Sequence, residues 1–149
     1  MSGLINSAGS RSGVIGETEL DYEEGTFTAT FVHGNQESTT GVYTKVGRLV
    51  QVAFNFESKT ISSTSGTGVQ VSGMPFTARE MSPAMYNGAI STKNFDYSSG
   101  SNVQPFMTTS TTTMQFSTSG DSTIIGGLNY IDGGDRYLRV SCSYFTDTE

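Results

Sequence analysis

Few residues in this chain are of the types that do chemistry, and their spacing keeps them apart. The only imidazole, His33, closes the stretch GTFTATFVH, and the only thiol, Cys142, lies far along the chain in LRVSCSYFT. Nucleophilic catalysis needs a nucleophile, a base and an orienting group together, and no G-x-S-x-G elbow supplies them. One Cys and one distant His do not complete a zinc site. Cys142 therefore reads as a small buried hydrophobe, and His33 as a residue at the end of a strand. The DGGD stretch, Asp132 to Asp135, offers oxygen ligands but lacks the ligand spacing of a calcium loop. A glycine turn flanked by Asp accounts for it. SAGSRSG, near the start, lacks the closing Gly-Lys-Ser/Thr of a phosphate loop. The acidic residues leave room for a catalytic carboxylate pair, so a small carbohydrate-active depolymerase stands as an alternative of another class, although nothing in the sequence marks the pair. No cofactor and no metal ion are expected.

What the residue types do favour is recognition at a surface. Tyr86 and Asn87, Asp96 and Tyr97, and Tyr130 with Asp132 set aromatic rings beside amides and carboxylates. A ring supplies contact area and its polar neighbours supply directional bonds, which suits a glycan or a protein on a host surface.

The elements that must position these residues are strands. Ser and Thr together outnumber the charged residues, Gly is frequent at 18 and Pro rare at 3 in a chain of 149. Such a composition favours many short strands joined by Ser/Gly/Asn turns, within one domain. In GTFTATFVH, Phe27, Ala29 and Phe31 share one face, and Thr26, Thr28 and Thr30 the other. GVYTKVGRLVQVAFNFE reads as a hairpin, with Gly47 at the first central position of a type II′ turn, where φ is positive. That turn sets Val46 opposite Leu49, Lys45 opposite Val50 and Tyr43 opposite Val52. It gives a core face ending in Phe54 and Phe56 and a mixed face carrying Val42, Val46, Leu49 and Ala53. A mixed face of this kind suits a surface half covered by a neighbouring subunit. The last strand places Leu138, Val140, Cys142 and Tyr144 on one side. About eight strands at regular spacing predict an all-β fold, an antiparallel β-sandwich of jelly-roll type.

A net charge of −6 argues against nucleic acid and against an anionic membrane as partners, and no apolar stretch is long enough for membrane insertion as a helix. Five of the acids fall in ETELDYEE, Glu17 to Glu24, which reads as a solvated surface. With no signal segment at Met1 and no second cysteine, the chain is expected to be made in a cytoplasm. Residues 1–24, with Leu4, Ile5, Val14 and Ile15 among glycines and serines, read as a non-globular arm, and residues 25–149 as the domain.

Taken in order, SAGSRSGVIG, ELDYEEGTFTATF, GVYTKVGRLVQVAFNF, VSGMPFTA and LRVSCSYFTD resemble the carboxy-terminal knob domain of bacteriophage tail-fibre and other fibre-like virion proteins, the marine ones especially. Asp21 to Thr26 match its acidic opening, with Phe27 in place of a tryptophan. Tyr43, Thr44, Lys45, Val46, Gly47 and Val50 match its hairpin, and Gly73, Met74, Pro75 and Phe76 its turn. Residues 77–135 match nothing in the pattern. The resemblance implies a non-enzymatic virion structural protein, a homotrimeric β-sandwich at the virion surface that contacts the host and other virion proteins. A capsid decoration or head-fibre role is the alternative. On this reading the mixed face is the trimer interface, and the aliphatics of the arm are a peg that attaches to the capsid or tail.

Overall fold

The computed structural model describes residues 21–32, 36–59, 69–80, 88–96, 102–120, 123–124, 129–130 and 136–148. These residues form an all-β, antiparallel fold with no helix among them. The strands are β1 (Tyr22–Phe31), β2 (Ser38–Val46), β3 (Leu49–Lys59), β4 (Gln70–Ser72), β5 (Gly88–Lys93), β6 (Phe95–Asp96), β7 (Asn102–Met107), β8 (Met114–Gly120), β9 (Thr123–Ile124), β10 (Asn129–Tyr130) and β11 (Arg136–Phe145). Eight of them pair in the order β5-β11-β3-β2-β1-β4-β8-β7, with β9 added to β8, while β10 and β6 form a separate two-stranded sheet. The end strands β5 and β7 approach each other, so the sheet curls around its core nearly into a barrel. The all-β antiparallel class expected from the sequence holds, in the form of one curled, nearly barrel-shaped sheet.

Alternation sets the faces. Phe27, Ala29 and Phe31 are buried, whereas Thr26 and Thr28 between them are exposed. Val50, Val52, Phe54 and Phe56 of β3 and Leu138, Val140, Cys142 and Tyr144 of β11 join them from neighbouring strands, and Met107, Met114 and Phe116 close the core from β7 and β8. Its centre is aromatic. Phe31 lies against Phe56 with ring centroids 4.0 Å apart, and Phe54 meets Phe27 and Phe56 edge-on. The hairpin has the predicted register, Val46 opposite Leu49 and Tyr43 opposite Val52. Gly47 takes φ +56 while Arg48 is not at positive φ, as a type II′ turn requires.

One charged side chain belongs to the core face. Lys45, opposite Val50, is 2% exposed. Its ammonium donates to Asp21 Oδ2 and lies 5.7 Å from the centroid of the Phe76 ring. Tyr43 meets the same ring edge-on at 5.4 Å and donates its hydroxyl to Glu23 Oε1 at 2.5 Å. The Tyr144 hydroxyl donates to the Phe76 carbonyl at 3.0 Å, and the Phe76 N–H reaches back to it at 3.3 Å. Phe76 is delivered by a turn at Gly73, where φ is +89 and an added Cβ would lie 2.2 Å from the Thr28 carbonyl oxygen. No side chain fits there.

Two expectations change here. The first strand begins at Tyr22, inside the stretch assigned to the arm, because Tyr22, Glu23 and Glu24 pair with Val46, Lys45 and Thr44. The described part of the acidic run is also more than a solvated surface. Asp21 neutralises Lys45, Glu23 takes the Tyr43 proton donor, and Glu24 accepts from Tyr22 at 2.7 Å. Removing one partner of a buried ion pair leaves the other desolvated and unpaired. Asp21→Ala should therefore lower unfolding stability by about 2 kcal/mol, less than for a fully buried pair because Asp21 is 46% exposed. Adding Lys45→Met should restore most of the loss, as read from urea unfolding midpoints.

Candidate functional site

The outward face of the β1-β2-β3-β11 wall is the best-defined candidate, and strand pairing builds it row by row. At the end nearest the Gly47 turn, Tyr22, Val46, Leu49 and Phe145 are successive cross-strand partners on four adjacent strands. All four side chains are large, apolar or aromatic, and 39 to 57% exposed. The turn is fixed beneath them by the Gly47 N–H donating to the Asp21 carbonyl at 2.7 Å and the Thr146 N–H to the Arg48 carbonyl at 2.9 Å. A polar row follows, Glu24, Thr44, Gln51 and Ser143, in which Gln51 exchanges hydrogen bonds with Ser141 and Ser143. Val42 and Ala53 face each other in the third row, and together with Ala89 and Ile90 they line a shallow groove of about 570 Å³ that runs on to Ser91 and Arg139.

All four residues expected on the mixed face, Val42, Val46, Leu49 and Ala53, thus lie on one outward surface. Tyr22 and Phe145 extend it, and sequence reasoning missed both. A signal for Phe145 was present, since strict alternation from Leu138 to Tyr144 turns it outward. Tyr22 was hidden by the acidic residues around it.

Of the residues expected to contact a receptor, Asp96 and Tyr130 come together through the small sheet, where Asp96 pairs with Asn129 and Tyr130 with Phe95. Asn94, at φ +59, turns the chain out of β5 into that sheet. Tyr86, Asn87, Tyr97 and Asp132 lie outside the described residues, as do His33 and the aliphatics Leu4, Ile5, Val14 and Ile15 of the arm.

Cys142 is buried in the core, and burial pushes its thiol up to about 11. Tyr144 is held above its ordinary value chiefly by burial, while Tyr22 and Tyr43 are raised chiefly because their hydroxyls donate to Glu24 and Glu23. Among the described residues no cluster of His, Cys, Asp or Glu is placed to hold a metal ion. Compared with the known protein families this chain matches none, and a search among curated proteins finds no match.

The Cys142 thiol has a stability consequence with a definite sign. Above its ordinary value near 9 the unfolded chain loses the thiol proton, whereas the folded chain keeps it to about 11. The unfolded state is then favoured as pH rises through that interval, by about 2 kcal/mol at its upper end. Urea unfolding at pH 8 and pH 10.5 should show the drop, and Cys142→Ala should show a smaller one. Iodoacetamide should label Cys142 in the native chain at pH 8 far more slowly than in urea.

Proposed function

We propose that this protein is a non-enzymatic structural component of the surface of a bacteriophage particle, a homotrimeric fibre or knob that contacts the host. The observation that carries the reading is the continuous apolar row Tyr22, Val46, Leu49 and Phe145 on the outer face of the sheet. Isolated exposed hydrophobics need no explanation, but four joined across adjacent strands resemble an interface core. Threefold symmetry and the virion setting come from the ordered likeness of DYEEGT, YTKVG and GMPF to the knob domains of fibre proteins. In a ring of three, each copy offers this face to its neighbour, and the flat pleated row gains the burial that one protomer does not provide.

Antibody-gold labelling of purified particles tests the setting. A few labelled points at the tail support a fibre, hundreds over the shell support capsid decoration, and particles without the protein refute a virion role. The assembly is tested by Leu49→Asp. The protomer should keep its circular dichroism spectrum, because Leu49 is partly exposed within it, but each contact would then bury an unpaired carboxylate. Sedimentation should change from trimer to monomer, and a variant still sedimenting as a trimer removes Leu49 from the contact.

A further inference from the structure

At the far end of the same outer face lies a cluster of different chemistry. Antiparallel pairing of β5 with β11 sets Lys93 opposite Tyr137 and Ser91 opposite Arg139, so these four side chains share one surface. The Lys93 ammonium lies 5.2 Å from the centroid of the Tyr137 ring, and the Arg139 guanidinium carbon 6.0 Å from it. Two cations are thereby held against one aromatic ring. Glu57 Oε1 accepts from Arg139 Nη2 at 3.1 Å, which engages one of the five guanidinium donors. Lys93 has no carboxylate partner among the described residues. Among the described residues two cations face one acid here, on a chain of net charge −6. Ser91, Thr92, Lys93, Tyr137 and Arg139 bound a cleft of about 250 Å³, the scale of one sugar ring.

We propose that this cluster binds a carboxylated sugar, a uronic-acid residue of an acidic polysaccharide. A carboxylate set between Lys93 and Arg139 accepts charge-assisted hydrogen bonds from both. The Tyr137 ring holds the two long side chains in place beforehand, which reduces the entropy lost on binding. Ser91, opposite Arg139 on the same surface, meets a sugar hydroxyl. Competing ligand classes fit less well. The cleft admits one sugar ring between two cations, whereas a nucleic-acid backbone or an anionic membrane needs a far wider positive surface. An extended peptide adding to the free edge of β5 meets β7, which approaches on that side. The cluster also stays clear of the apolar row, because Leu49 and Glu57 stand on the order of 25 Å apart along β3 at strand rise. A subunit seated on the row alone leaves the sugar site open, whereas one that also covers Val42 and Ala53 borders it through the groove shared with Ser91 and Arg139.

The host-contact reading enters only as the source of such a sugar, and the binding experiment stands apart from the oligomeric state. The full chain, isotope-labelled, is titrated with a trimer of galacturonic acid, with neutral galactotriose and with sodium sulfate, and amide shifts are followed. The acidic trimer should give saturable shifts confined to 91–93 and 137–139, weakening as salt rises. Lys93→Ala and Arg139→Gln, both at exposed positions, should each weaken binding about tenfold, the scale of one charge-assisted bond. Shifts of equal size with galactotriose overturn the role of the cations, and equal affinity for sulfate overturns the sugar. No localised shift with the acidic trimer overturns the site. A chain that binds the trimer yet sediments as a monomer keeps this site and loses the trimeric reading.

Discussion

A buried ammonium orders this fold. Lys45 sits on the core face of the hairpin, where a charge is tolerated only if it is neutralised and hydrogen-bonded. Asp21 neutralises it from the start of β1, and the Phe76 ring covers it from the turn after β4. Tyr144, from β11, then fixes the backbone of Phe76. Segments from four regions of the chain are thus drawn to one point, and the first strand, the hairpin, the Gly73 turn and the last strand must take the positions they do. Asp21, Lys45, Phe76 and Tyr144, which meet here, come from four of the stretches on which the expected likeness to fibre knobs rests.

The same constraint shapes the outer surface. With Lys45 directed inward, Val46 and Thr44 must face out, and the two-residue turn carries that alternation into Leu49 and Gln51. Pairing with β1 and β11 adds Tyr22 and Phe145 to the row. Along the strands the face passes from this apolar end through hydroxyls and amides to the Lys93, Tyr137 and Arg139 cluster. One end suits burial against a copy of the chain, and the other suits a charged ligand in water.

The hairpin and the first strand were legible because their information is local. Period-two alternation gave the buried Phe27, Ala29 and Phe31, and one glycine fixed a register that the structure keeps. Sequence alone reads the acidic run as a solvated surface because its role depends on Lys45, which is distant in sequence and adjacent only through the β1–β2 pairing. The cluster on β5 and β11 escaped for the same reason: Lys93 is an ordinary lysine until β11 lies beside it and Tyr137 comes under its ammonium. Closure of the sheet is also a long-range property, set by the approach of β5 and β7, and no window of sequence contains it. Of the residues expected to contact a receptor, Asp96 and Tyr130 stand out by side-chain type alone, and the pairing of their strands rests on two short segments with no alternation to announce it.

The central claim is that one outer face carries a covered apolar end and an open cationic end. Hydroxyl-radical footprinting of the assembled protein, read by mass spectrometry, tests it directly, because every residue concerned is large or aromatic enough to be modified. Tyr22, Leu49 and Phe145 should be protected relative to a chain dissociated by dilution, while Tyr137 is modified equally in both. Equal modification of the row in both states, or protection of Tyr137 along with it, would contradict the account.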